Sequence, residues 1–239
     1  MTTPPAPELG LDVPIRRDLE FIYVGDPMCS WCWGFAPALE QLDNRYGIPL
    51  RTVLGGLRTG PAADEMDQAA RHRLAAYWDG VAERTGQPFT HASLHRAGWR
   101  YDTEPSCRAV VAMRRLAPEA AVRWMARLHR AFYVDGVDIT DLEVFPTLLD
   151  GFEVDPRRYR EVLADPQTLT LTRQDFAEAR RYGATGFPTV LFRDGEQHGI
   201  VTRGFVAWDQ LEPALTRWLE DRYGDLGSGL VCDPSEGVC

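Results

Sequence analysis

Cys29 and Cys32 are the residues of this sequence best placed to do covalent chemistry. They sit in Cys29-Ser30-Trp31-Cys32, between a strand-like run and a helix-like one. That is the context a dithiol redox motif needs. Two intervening residues bring the second thiol close enough to close a small disulfide with the first. A cysteine at a helix N-terminus faces unpaired backbone N–H groups and the positive end of the helix dipole, and both stabilise its thiolate. Cys29 is therefore expected to be the exposed, attacking thiol. Cys32 is expected to be the more buried thiol that resolves the mixed disulfide. The competing chemistry is half of a zinc site. The other pair, Cys232 and Cys239, has six residues between its members. Structural zinc pairs have roughly two to four, so redox chemistry is preferred and no metal is expected.

The remaining candidates divide between chemistry and scaffold. Cys232 and Cys239 read either as inert tail thiols or as a second redox pair that exchanges with Cys29 and Cys32. Asp26 reads first as a turn residue before Pro27; proton acceptor for Cys32 is the sharper alternative. Trp31, between the cysteines, is expected to be exposed and to line a substrate groove. Cys107 lies near a helix start but has no sequence partner, so a buried structural role is expected. His91 and His95 have helical ligand spacing without a third ligand, which argues against a metal. Arg114-Arg115, Arg157-Arg158 and Arg180-Arg181 read as solvated helix faces. Gly186-Phe187-Pro188-Thr189, taken alone, is a turn leading into a strand.

These residues must be positioned by elements of two kinds. Leu19 to Gly25 is rich in β-branched and aromatic residues and reads as a strand. A helix carrying Phe35, Leu39 and Leu42 follows, then a second strand at Ile48 to Leu54, which together begin a βαβ unit. From about residue 60 to 182 there is almost no strand signal. Met66, Ala70, Leu74, Trp78 and Val81 recur at helical spacing. Thr103 and Pro105 mark another helix start. Helices are also expected over Glu119–Tyr133, Asp141–Leu149, Pro156–Ala164 and Thr168–Tyr182. Strand character returns at Thr189–Arg193 and Ile200–Arg203, around the hairpin turn Asp194-Gly195. Ala207 to Tyr223 is a final amphipathic helix. The expected division is a flexible arm at 1–17, a sheet domain from 18–59 and 183–223, a helical insertion at 60–182, and an irregular tail at 224–239.

Composition excludes several function classes. The 239 residues include 26 basic and 35 acidic ones, a net charge of −9. So acidic a chain repels phosphate backbones, and nucleic acid is not an expected partner. Every basic residue is arginine, which removes Schiff-base and P-loop lysine chemistry. No apolar run approaches the roughly 18 residues of a membrane helix. Met1 to Glu20 holds four prolines and no apolar h-region, so it does not read as a secretory signal. A cytoplasmic protein is the expectation, and in a reducing compartment paired cysteines point to catalysis or metal binding rather than structural disulfides.

The order strand, CxxC helix, strand, long helical insertion, Phe-Pro-Thr, hairpin, helix resembles the DsbA-like family of thioredoxin-fold proteins. Asp26-Pro27-Met28-Cys29-Ser30-Trp31-Cys32-Trp33-Gly34-Phe35 and Glu104-Pro105-Ser106-Cys107-Arg108-Ala109 are similar to its cytoplasmic branch of FrnE-type proteins and predicted disulfide isomerases. The resemblance spans roughly residues 19 to 223. It implies an α/β thioredoxin fold with a helical insertion and thiol–disulfide oxidoreductase or isomerase activity without a cofactor. It makes Pro188 the cis-proline facing the disulfide, with Phe187, Trp31 and Met28 against the substrate. Protein or peptide thiols and disulfides are the implied partners, with glutathione as an alternative. The sequence departs from strongly oxidising members in having Ser-Trp inside the motif instead of Pro-His, which argues against a strong oxidant. Two rivals stand beside this reading. One is a protease adaptor or chaperone with redox-sensitive thiols. The other is a glutathione-dependent transferase or isomerase, against which the complete CxxC counts.

Overall fold

The computed structural model describes residues 19–224. The arm at 1–17, and the tail with Cys232 and Cys239, lie outside the described residues. The chain begins with β1 (Leu19–Gly25), α1 (Ser30–Arg45) and β2 (Leu50–Leu54). Five helices follow: α2 (Gln68–Thr85), α3 (Glu104–Leu116), α4 (Ala121–Tyr133), α5 (Pro156–Ala164) and α6 (Pro166–Arg181). The hairpin β3 (Thr189–Asp194) and β4 (Gln197–Arg203) and the helix α7 (Trp208–Tyr223) complete the order. This is the thioredoxin fold with a long helical insertion. Among the described residues no helix is long and apolar enough to cross a membrane.

The sheet order is β2-β1-β3-β4. β1 runs parallel to β2 and antiparallel to β3, so it is central and paired on both edges. Its alternate residues serve two cores. Phe21 and Tyr23 point into the large cluster shared with α1 and the insertion, and Ile22 and Val24 into a smaller one with Val53, Ala179 and Leu191. A strand covered on both faces must be apolar on both faces, which is why LEFIYVG shows little polar alternation. The loop following β1 is thereby fixed at one end by a fully buried strand.

Aromatic contacts knit the insertion together, and polar ones tie it to this frame. Trp78 of α2 meets Phe132 and Tyr133 of α4 edge to face, at centroid separations of 5.6 and 5.1 Å. Arg114 of α3 reaches across to the Asp175 carboxylate of α6, with nitrogen–oxygen distances of 2.9 and 2.8 Å, and also to the Thr52 carbonyl of β2. Asp175 accepts the Leu54 amide as well. Arg115 is bound to Asp165 and Thr168. Arg114 thus ties the insertion to the sheet and Arg115 ties α3 to the start of α6, which corrects the reading of this pair as a solvated face. The periodicity of α3 shows which residues are apolar but not which charges find partners.

One predicted helix is absent. Asp141–Leu149 forms turns and one short 3₁₀ segment, Phe145–Leu148. The Asp138 and Asp141 side chains accept from the Thr140 and Glu143 amides, two residues on. Such local bonds compete with a helical ladder, and Pro146 has no amide to contribute.

Candidate active site

The residues Asp26 to Cys29 form a turn closed by the Cys29 amide donating to the Asp26 carbonyl at 3.0 Å. The Asp26 side chain shapes the same turn by accepting from the Met28 amide at 2.8 Å. Cys29 is the N-cap residue of α1. Its Sγ donates to the Phe187 carbonyl at 3.6 Å. The Phe187–Pro188 peptide is cis, and this loop lies directly beside the CxxC turn. Cys29, Cys32 and Cys107 are free thiols.

Cys29 is 5% exposed and Cys32 fully buried. The order of access is as expected, but Cys29 is far less open than the sequence suggested. Trp31 is half-buried because the insertion and the α7 approach hold its indole. Trp31 Nε1 donates to the Tyr77 hydroxyl at 2.5 Å, and its ring leans on Phe205. Burial and the adjacent Cys29 push the Cys32 thiol well up from its ordinary value. Among the described residues the Tyr23 hydroxyl makes no hydrogen bond to nitrogen or oxygen; the Cys32 sulfur is its polar neighbour.

The Met28 side chain lies wholly in the core and Pro188 is buried, so neither lines the open side of the site. Phe187 does line it. Phe187 can lie there because the residue after β2 is Gly55: a Cβ at that position would come within 1.9 Å of the Phe187 ring. The cavity over Cys29 has a volume of about 640 Å³ and is walled by α2 on the far side.

Sequence reading missed most of what lies beneath the turn. Asp26 is fully buried. Its Oδ2 accepts from the Leu57 amide at 2.7 Å, the Thr103 hydroxyl at 2.8 Å and the Cys107 thiol at 3.3 Å. Burial nevertheless raises its pKa from the ordinary carboxylate value. Thr103 does precede α3, but its hydroxyl serves Asp26 instead of capping the helix. Cys107 is buried as expected, with burial and Asp26 pushing its thiol well up. The Met28 carbonyl accepts from two phenols, Tyr101 and, at 2.6 Å, Tyr133. The Asp26 carbonyl lies 3.3 Å from His129 Nε2. Burial lowers the His129 pKa to about 4, so its ring is neutral near pH 7. A carbonyl can only accept, so Nε2 carries the proton. Asp26, Thr103 and the Glu104-Pro105-Ser106-Cys107 motif were the sequence signals for this layer. Nothing marked Tyr101, Tyr133 or His129.

A dithiol at the head of a helix, faced by a cis-proline loop on a four-stranded sheet, defines the class of thioredoxin-fold proteins with an inserted helical segment. Within that class the chain belongs to the DSBA-like thioredoxin domain family, whose model matches residues 22–216. It is similar to a candidate protein disulfide isomerase from Nitrosomonas europaea, at 31% identity and TM-score 0.77 over 85% of this chain and 98% of that one. It is also similar to the cytosolic disulfide reductase DsbM from Pseudomonas aeruginosa, at 26% identity and TM-score 0.71 over 84% and 98% of the two chains. A further structure of DsbM is with GSH. Among curated proteins, the ClpXP adapter protein SpxH of Bacillus licheniformis is 23% identical over 86% of this chain and 69% of its own length. The fold and family are those of thiol–disulfide oxidoreductases.

Proposed function

We propose that the protein exchanges thiols and disulfides through Cys29 and Cys32, reducing or isomerising its substrates. One observation carries this reading: the Cys29 sulfur sits against the Phe187 carbonyl of the cis-proline loop, with Cys32 buried behind it. Cys29 attacks one sulfur of a substrate disulfide, that S–S bond breaks, and the other substrate sulfur leaves as a thiolate. Cys32 then loses its proton and attacks the Cys29 sulfur, which releases the second substrate thiol and leaves the Cys29–Cys32 disulfide. The raised pKa of Cys32 makes that proton loss the demanding part of the second step. Phe187 and Trp31 flank the incoming sulfur. Asp26 is assigned to holding the turn: both its carboxylate oxygens are taken by donors other than Cys32.

The partner disulfides are those of proteins, peptides or glutathione, the last suggested by the DsbM structure with GSH. A cytoplasmic setting accords with that cytosolic relative. The deciding measurement is the reduction potential of Cys29–Cys32 in a glutathione buffer. A value of about −270 mV identifies a reductase, and one of about −120 mV an oxidant and overturns this reading. The SpxH relatives favour a second reading, a protease adapter whose thiols are sensors. Changing both cysteines to serine separates the two: an adapter keeps its partner, whereas an oxidoreductase loses all turnover.

A further inference from the structure

The cavity over Cys29 is charged in one sense. Arg58 and Arg73 line it, and among the described residues no carboxylate does. Acidic residues outnumber basic ones 35 to 26 in the whole chain, so an acid-free pocket with two arginines runs against the composition. Among the described residues neither arginine has a carboxylate partner, whereas Arg51, Arg108, Arg114 and Arg115 are all paired.

Arg58 is held ready. Its backbone is tied to Thr103 by the Thr103 amide donating to the Arg58 carbonyl at 2.8 Å. Its guanidinium lies 5.1 Å from the ring centroid of Tyr101. Tyr101 in turn donates to the carbonyl of Met28, the residue before Cys29. Arg58 is therefore coupled by two contacts to the backbone that presents the attacking sulfur. Arg73 is exposed on α2, on the wall that faces Cys29 across the cavity. The remaining wall is apolar and aromatic, with Trp31 and Tyr77 joined by their hydrogen bond. The shape also selects. Cys29 is 5% exposed, so a disulfide fixed in a folded protein must displace that wall to reach it. A small disulfide fits a cavity of about 640 Å³, within the usual range for small-molecule sites.

We propose that Arg58 and Arg73 are specificity residues that select low-molecular-weight disulfides and thiols bearing carboxylates. The inference rests on the exchange chemistry proposed above and names its substrate class. The guanidinium groups donate charge-assisted hydrogen bonds to the carboxylates. These hold the substrate disulfide over Cys29, which attacks the nearer sulfur. The S–S bond breaks, and the outer sulfur leaves as a thiolate and is protonated. In a single turnover the reduced enzyme supplies both electrons and ends as the Cys29–Cys32 disulfide.

The test is single-turnover oxidation of pre-reduced protein by three disulfides of matched size. They are dithiodiglycolate (anionic), bis(2-hydroxyethyl) disulfide (neutral) and cystamine (cationic). Each rate constant is divided by that for the same disulfide with free 2-mercaptoethanol, which removes intrinsic reactivity. The order anionic, neutral, cationic is expected. Arg58→Gln and Arg73→Gln should each lower the anionic-to-neutral ratio by about tenfold, the scale of one charge-assisted bond. Arg58→Lys should restore part of it, and Arg157→Gln, on the exposed face of α5, should leave it unchanged. Glutathione disulfide and a mixed disulfide of an acidic hexapeptide form a further pair. Loss with the peptide alone overturns the small-thiol assignment. Equal normalised rates across the charge series, or a ratio indifferent to both arginines, overturns the proposal. Failure of the wild type with every disulfide, the neutral one included, instead overturns the exchange chemistry on which it rests.

Discussion

The turn that carries Cys29 has two sides, and the insertion contributes to both in opposite ways. On the open side are Trp31, Arg58, Arg73 and Tyr77, around a cavity that no acid among the described residues lines. On the closed side Thr103, Cys107, Tyr101, Tyr133 and His129 all direct polar atoms at Asp26 or Met28. Among the described residues the open side leaves two arginines without a carboxylate partner; the closed side gives the Asp26 carboxylate and the Asp26 and Met28 carbonyls donors. The physical reason is solvent. An unpaired guanidinium beside water costs little, whereas an unpaired carboxylate or carbonyl in the core costs about 1–3 kcal/mol or more. The open side is free to wait for a ligand, and the closed side is committed to holding the backbone.

The largest effect should fall at the boundary between the two. Cys29→Ser should lower exchange by about a thousandfold or more, because the attacking atom is gone. Cys32→Ser should still attack and should accumulate the Cys29 mixed disulfide, visible as an adduct by intact-protein mass spectrometry. With iodoacetamide under native conditions Cys29 should be alkylated first. Cys32 and Cys107, both buried and with raised pKa values, should resist until the chain unfolds. Faster labelling of Cys32 would reverse the assigned roles and collapse the distinction between the sides.

The closed side should show itself in stability before activity. His129 titrates near 4 when folded, against 6.5 for a free imidazole. Between those values the unfolded chain binds the proton and the folded one does not. Stability from this group is therefore complete above about pH 6.5 and declines as pH falls toward 4, by roughly 3 kcal/mol in all. Urea denaturation of wild type and His129→Gln across that range should differ by this slope, and parallel curves would show that His129 is not buried neutral.

The two phenols on the Met28 carbonyl should be non-additive. Tyr133→Phe or Tyr101→Phe alone leaves the carbonyl one donor and should cost about 0.5–1.5 kcal/mol. The double variant orphans a buried acceptor and should cost about 1–3 kcal/mol beyond the first loss. A double-mutant cycle in denaturant measures this, and simple additivity would mean that the carbonyl finds another donor.

Asp26 should give the smallest and most localised signal, opposite in sign to that of His129. Its folded pKa is raised, so the folded state holds the proton over a window in which the unfolded state has lost it. Stability should fall as pH rises from the ordinary carboxylate value through the folded one. The steepest slope is at most about 1.4 kcal/mol per pH unit. In Asp26→Asn that slope should be missing. A slope retained in the variant would assign it to another carboxyl.

The local pattern of the sequence determined the frame of the molecule. An apolar central strand, a dithiol heading a helix, a Phe-Pro-Thr before a hairpin and a long strand-free stretch are short-range features, set by residues within a turn or a strand of each other. They carried the bounds of β1 and α5 and put Cys29 and Cys32 between a strand and a helix, whereas the fold class and the place of Pro188 beside the dithiol came with the family resemblance. Tertiary structure alone decided the surroundings of the dithiol. Tyr101 and Tyr133 lie 73 and 105 residues from Met28, and His129 lies 103 from Asp26. No periodicity encodes a hydrogen bond over such a separation. A tyrosine that supports an active-site carbonyl has the same local pattern as one that fills a core. Arg58 and Arg114 make the same point: both are arginines near apolar runs, and only folding leaves one facing a cavity and brings the other to Asp175.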